Sequence, residues 1–540
     1  MLKTLYRLRL ILGLALLSPL SCAFAEDCGC KDPPFISLDE AMRLTLANQR
    51  DIFISNLEVE KDFGFLEETA EPFDPKIDFQ IMYDQSRFFQ FFPLGLKTNY
   101  SQFETTAQFG FMKRSRLGTL FNVSAQVDMV RNRLLPLIGQ APAPTTNQGK
   151  VTFEVVQPLL RNFLTSPDTM REQSALKEAI AEEFQNLQTV AERLLDTINN
   201  YWEVVSAKQI LAIQKDAEQR LFKLIKEVVI LIKEDEIAEN DLNQVLQQLA
   251  TQKVQVALAT QNLTASQENL KTSMGVTDSA GGISTLCGEA ACGFKVDNEF
   301  PLITDDIKDF CAEEFFWTQI AISNSFNILA AKMREGAAQD LVIGAYNETL
   351  PAVDVFGGWS KTNFTVNDEA NNLISPLTSG DAQYDTFIGI RFSTPFWNDG
   401  PIGRYRQREA TQQQAVFGTQ LLIQDLIRDI RIALNNYVNL KVAIANAAEA
   451  IEKAQLLVVN ENIKLRAGES NIFYVVDFEN KLTQTLLDKA VLIRNFFQNI
   501  AQIRFLTATL VKMSPDMRIA EISDVIHYPL NPNDNCVEVE

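Results

Sequence analysis

The chain carries one strand-and-helix plan twice, and this duplication limits its fold more than any single motif does. The segment Pro75-Lys76-Ile77-Asp78-Phe79-Gln80-Ile81-Met82-Tyr83 returns as Pro351-Ala352-Val353-Asp354-Val355-Phe356-Gly357-Gly358-Trp359. A proline opens each run, apolar residues alternate with others, and an aspartate holds the same place. A period of two marks a strand with two unlike faces. Ile77, Phe79, Ile81 and Tyr83 share one face; Asp78, Gln80, Met82 and Asp84 share the other. A second pair also matches. Val151, Phe153 and Val155 lead into Gln157-Pro158-Leu159-Leu160, and Ile388, Ile390 and Phe392 lead into Thr394-Pro395-Phe396-Trp397. Proline lacks a ladder donor and belongs at a strand's end.

The two marked prolines lie 83 positions apart in the first half and 44 in the second. The surplus holds a further hairpin over residues 101–131. Phe103, Thr105, Ala107, Phe109 and Phe111 alternate before Arg114-Ser115-Arg116-Leu117-Gly118, and Phe121, Val123, Ala125, Val127 and Met129 alternate after it. The stretch Pro136 to Gly149, with Pro, Gly, Thr and Asn, reads as an exposed loop. Strands of roughly 9 to 11 residues suit a membrane barrel, and they suit a soluble sandwich equally well. Phe88, Phe89, Phe91 and Phe92 fit an aromatic membrane girdle or the cover of a small core.

Long helices follow in each half. Ser37-Leu38-Asp39-Glu40 is a capping box opening a helix to about Ala70, with a counterpart from about Glu313 to Tyr346. Longer, uninterrupted helices are expected from about Asp168 to Lys233 and from Tyr405 to Arg466, with returns over Ala238–Met274 and Ile472–Val511. Asn199-Asn200-Tyr201 and Asn435-Asn436-Tyr437 mark equivalent places. Helices of this length read as coiled-coil material. Seven glutamines between Gln244 and Gln267, with modest apolar seams, favour thin two-sided walls over a solid bundle.

Residues 1–25 read as a signal peptide: Lys3, Arg7 and Arg9, an apolar run from Leu10 to Leu20, and Ala23-Phe24-Ala25 as the cleavage site. A competing reading makes Cys22 a lipidated N-terminus, although Pro19-Leu20-Ser21 fits a lipobox poorly. Beyond residue 25 no run of 18 uncharged apolar residues occurs, so entry into a membrane requires strands. Without the signal, 46 cationic side chains face 69 acidic ones. That balance argues against nucleic-acid partners and is compatible with a cation-favouring conduit. In an oxidising compartment Cys287 and Cys292 are a candidate disulfide. A zinc site competes with it, but the single histidine, His527, is remote. No nucleophile elbow, phosphate loop or metal-ligand cluster appears, so neither an enzyme nor a cofactor is expected.

The order strand, strand, long helix, return helix, repeated behind a signal peptide, resembles the TolC family of bacterial outer-membrane efflux proteins over residues 36 to 511. The resemblance rests on Ile36-Ser37-Leu38-Asp39-Glu40-Ala41-Met42-Arg43-Leu44-Thr45-Leu46-Ala47-Asn48, on Gln157-Pro158-Leu159-Leu160, and on Arg466-Ala467-Gly468-Glu469-Ser470-Asn471-Ile472-Phe473-Tyr474-Val475-Val476-Asp477. It implies a mainly α fold with β. Three protomers would share an outer-membrane β-barrel and an α-helical barrel reaching into the periplasm. It divides the chain into a first repeat at 36–275 (strands about 76–157, long helices about 168–274), a connector at 276–311, a second repeat at 312–511 and a tail at 512–540. It implies a homotrimer in outer-membrane lipid that works with a periplasmic adaptor protein and an inner-membrane transporter, as the exit duct of tripartite efflux or type I secretion.

The resemblance also implies a gate where each long helix turns into its return. Gly468, followed by Glu469, matches the second turn's glycine. Asp477 matches an acidic position ringing the pore, Tyr474 falls where a second ring acid is expected, and Asn240-Asp241 match a polar pair that holds the tip closed. Glu234, Asp235, Glu236 and Glu239 make the first turn acidic, reading either as a cation-attracting ring or as solvated turn residues. Four strands per chain would close a twelve-stranded barrel, and the hairpin at 101–131 either extends it or lies outside. The competing function is a soluble periplasmic coiled-coil adaptor or scaffold.

Overall fold

The structure, a computed structural model, describes residues 35–91, 97–134, 146–234, 239–276, 295–297, 299–301, 310–366, 377, 381–512 and 521–522. The signal segment, Cys22, the Cys287–Cys292 pair, Asp235, Glu236 and the side chains of the Phe88–Phe92 cluster lie outside the described residues. Six strands form one antiparallel sheet in sequence order: β1 (Lys76–Phe91), β2 (Lys97–Arg114), β3 (Leu120–Leu134), β4 (Thr146–Pro158), β5 (Ala352–Val366) and β6 (Asp381–Ser393). The hairpin of uncertain placement is therefore β2 and β3, inserted between β1 and β4. Strand lengths of 13 to 18 residues exceed the 9 to 11 expected. Pairing runs on past the apolar band into polar residues, as at Arg87 opposite Ser101.

The register keeps the two faces distinct across the whole sheet. Ile77 lies opposite Phe111, Phe111 opposite Val123, Val123 opposite Phe153, and Phe153 opposite Trp359. One residue along, Asp78, Gly110, Ser124, Thr152, Ser360 and Asp385 occupy the other face in the same way. β1 and β6 are the two edges.

The helix expected from Ser37 to Ala70 is two helices, α1 (Leu38–Asn48) and α2 (Arg50–Thr69). Ser37 caps α1 by accepting from the Glu40 amide at 3.3 Å. The break falls at Gln49, which is extended; its side chain accepts from the Arg50 amide at 2.8 Å and donates to the Ser273 carbonyl at 3.2 Å. The counterpart is likewise two helices, α5 (Phe310–Asn324) and α6 (Phe326–Thr349), broken at Ser325. At Gln49 a polar side chain takes up a freed amide as one helix ends and the next starts; Ser325 makes no side-chain cap bond.

The long helices are α3 (Pro167–Lys233, 67 residues) and α7 (Asp399–Arg466, 68 residues), each about 100 Å long at 1.5 Å per residue. The second begins six residues before the expected Tyr405, with Pro401 in its first turn, where a missing donor costs nothing. The returns are α4 (Glu239–Ser273) and α8 (Ile472–Leu506). α8 stops short of Val511 at a left-handed Ala508, and β7 (Val511–Lys512) pairs with β8 (Glu521–Ile522) in the tail.

The helices form a single wall, each packed on its neighbours in order, rather than a solid bundle. On the sheet side its order is α2, α3, α6, α7; on the far side it is α4, α3, α8, α7. At mid-height Tyr201, Trp202, Tyr437, Phe496 and Phe497 are buried in one core. The Trp202 ring lies 4.9 Å from Phe497, and Tyr437 lies 5.0 Å from Phe496. The two Asn-Asn-Tyr triplets thus place their tyrosines in the same core from the two repeats. The described connector residues pack on this waist: Tyr201 Oη donates to Asp297 Oδ2 at 2.7 Å, and Lys208 Nζ donates to the Val296 carbonyl at 3.0 Å.

Candidate functional site at the helical tip

The far end of the wall is where α3 turns into α4 and α7 into α8. An apolar pack holds the four helices together, with Leu224, Val228, Leu231, Val245, Leu465 and Val475 buried in it. The second turn is a complete Schellman stop. Gly468 has φ +73, its amide donates to the Leu465 carbonyl at 3.1 Å, and the Glu469 amide donates to the Lys464 carbonyl at 2.9 Å. Asn471 then caps α8, its side chain accepting from the Tyr474 amide at 3.3 Å. Ser470 donates to Glu461, and that hydroxyl, with Lys464 beside it, holds the Glu461 carboxyl below the ordinary carboxylate range.

Asp477 and Tyr474 lie three residues apart on α8, on the face opposite the buried Val475 and Val476. Tyr474 is exposed and Asp477 half-exposed. Asp477 makes an ion pair with Lys481 at 2.7 Å, one turn on. Glu234 caps the end of α3, while Glu239, Asn240 and Asp241 fill the first turn of α4. Glu239 and Asn240 are exposed and Asp241 is half-buried. The acids of the two turns therefore gather at one end of the wall.

Sequence reasoning missed the polar ties that cross between helices. Arg220 on α3 bonds Glu479 at 2.8 Å and Thr483 at 2.9 Å, both on α8, and also pairs with Asp216. Arg466 at the end of α7 bonds Glu227 on α3 at 2.7 Å. Gln248 on α4 donates to Asn480 on α8 at 2.7 Å. Arg220 and Glu479 are both largely buried, so neither charge is solvated without the other. No local pattern announces such pairs, because their partners lie more than 200 residues away.

No family model matches the sequence, and no curated protein matches it. The fold is found in solved structures. The chain is similar to CusC, described by its conformational changes in folding and transmembrane channel formation, at 13% identity and a TM-score of 0.60, covering 87% of this chain and 91% of that one. It is similar to the CmeC outer membrane channel of Campylobacter jejuni at 12% identity and a TM-score of 0.61, covering 87% and 85%. The outer membrane protein VceC of Vibrio cholerae gives 12% identity and a TM-score of 0.61, covering 87% and 95%. The fold is that of the TolC-type outer-membrane channels: mostly helical, with a six-stranded antiparallel sheet.

Proposed function

We propose that this chain is one protomer of a trimeric outer-membrane channel of a Gram-negative bacterium, a passive exit duct gated at its periplasmic tip. The observation that carries the reading is a pair of matching open flanks. The sheet ends in β1 on one side and β6 on the other, and the helical wall ends in α2 and α4 on the β1 side and α7 on the β6 side. Open sheet edges do not face lipid, so copies must join edge to edge. Both helical flanks carry exposed apolar side chains: Phe53, Ile54 and Leu57 on α2, and Phe417, Leu421 and Ile463 on α7. Neighbouring copies would cover these seams.

In this reading the sheet forms the shared barrel, its apolar face toward lipid and its acidic face toward water. The helices form the periplasmic tube. The acidic turns, with Asp477 and Tyr474, form the constriction, and the ties through Arg220 and Arg466 hold it shut. An adaptor protein and an inner-membrane transporter would supply energy and cargo for efflux or type I secretion, and no catalytic role is assigned to this chain. A soluble scaffold would leave Ile77, Phe79, Ile388, Ile390 and Phe392 more than half exposed, at about 1.5 to 3 kcal/mol forgone for each. Membrane fractionation decides between the two. Heat-modifiable trimers in the outer-membrane extract are expected; recovery in the soluble periplasm would sink the channel reading.

A further inference from the structure

We propose that the β2–β3 hairpin widens the shared barrel to eighteen strands, as broad as the helical tube beneath it, giving an acid-lined aqueous mouth for bulky hydrated cargo. The inference rests on the trimeric channel reading above and extends it to the kind of cargo admitted.

The hairpin is a structural part of the sheet, not an appendage. β2 pairs with β1 from Lys76–Met112 to Phe91–Lys97, and β3 pairs with β4 from Leu120–Val156 to Val130–Thr146. The apolar face crosses both added strands without a change of register. Its turn is also seated on the helical wall. Arg114 pairs with Asp168 at 2.7 Å, and Arg116 grips Glu172 with two nitrogens, both acids lying in the first turns of α3. The Arg116 guanidinium lies 5.2 Å over the Phe73 ring. Gly118, at φ +91, comes so close to the strand-to-helix joint that a Cβ there would meet the Asn162 carbonyl oxygen at 2.1 Å.

Geometry then favours eighteen strands over twelve. Strands about 4.8 Å apart and tilted about 40° close at a diameter of roughly 24 Å for twelve and roughly 36 Å for eighteen. The wall contributes four helices per chain at either level. Twelve helices about 9.5 Å apart close at roughly 36 Å. Six strands per chain therefore match the two barrels at ordinary tilt, and barrels of 16 to 18 strands hold an aqueous channel. The inward face carries Asp78, Asp84, Glu104, Asp128, Asp354 and Asp385, against few cations such as Lys150 and Arg391. Glu104 and Asp128 are added by the hairpin itself.

Deleting residues 97–134 leaves Phe91 and Thr146, at the same end of the sheet, linked through residues 92–96 and 135–145. Both face assignments survive, because Ile77 and Phe153 are on one face. Single-particle imaging of the full-length trimer in lipid nanodiscs should show eighteen strands. Planar-bilayer polymer exclusion, with polyethylene glycols added on the extracellular side, should give the deleted channel a cut-off radius about one third smaller. A full-length trimer with twelve barrel strands, or a deleted channel with an unchanged cut-off, overturns the inference. Should the deleted chain fail to assemble, the full-length strand count alone decides. The absence of any trimeric channel would instead overturn the functional reading on which this rests.

Discussion

Gly468 is the residue on which the second tip turn depends. Its φ of +73 lies in the left-handed region and nothing crowds it, so only the backbone objects to a side chain. Gly468→Ala should weaken the turn by about 1 kcal/mol, read as faster amide exchange over residues 465–475 with unchanged thermal unfolding of the rest. Arg220 lies one layer deeper. Arg220→Ala leaves Glu479 buried without its partner, at about 2 kcal/mol, so closed-state leakage across planar bilayers should rise; unchanged leakage would remove this tie from the gate. Asp477→Ala strips the charge that balances Lys481, and cation selectivity should fall. Unaltered reversal potentials in an assembled channel would exclude Asp477 from the constriction. The Ser470–Glu461 contact adds a pH dependence. A carboxyl with a lowered folded pKa contributes stability that is present above its unfolded pKa and lost as pH falls through its folded value. Exchange at the second turn should therefore accelerate in acid below the ordinary carboxylate range, and Ser470→Ala should remove that step.

At the scale of elements, the fold rests on joints between regular pieces. α3 begins at Ser166, whose hydroxyl accepts from the Thr169 amide at 3.1 Å, directly after the strand end at Pro158 and the left-handed residues Asn162 and Leu164. Asn347 on α6 holds this joint, its side chain accepting from the Asn162 amide at 2.7 Å and donating to Thr165 at 3.1 Å. The turn of the β2–β3 hairpin is seated on the same joint. Gly118→Val adds bulk where even a Cβ does not fit, and about 1 to 3 kcal/mol of backbone strain. Assembled trimer in the outer membrane should drop while exported chain stays constant; equal trimer yield would mean that the turn is not anchored there. The breaks at Gln49 and Ser325 are element-scale features that periodicity alone could not place. Apolar spacing runs on through both; at Gln49 the side-chain bonds to Arg50 and Ser273 mark the break, and at Ser325 only the departure of the backbone from helical geometry does.

At the scale of the whole molecule, two flanks carry exposed apolar side chains that the proposed trimer would cover. Leu57→Asp on α2 and Leu421→Asp on α7 put a charge in opposite seams, so either should abolish the heat-modifiable trimer while leaving the single chain's helical circular dichroism intact. Trimers surviving both changes would place the contact elsewhere. The sequence alone determined the repeated unit, the identity of the strands and their two faces, the long helices and the glycine stop. Each is written in local periodicity or a local cap, because a strand's alternation and a helix's ending depend on neighbours a few residues away. Tertiary structure alone decided that the added hairpin joins the sheet and that Arg220 finds Glu479. It also decided that the sheet and the wall open on the same flanks. Those outcomes depend on which distant segments meet and on how many strands and helices share one perimeter, and no local window of residues records a perimeter.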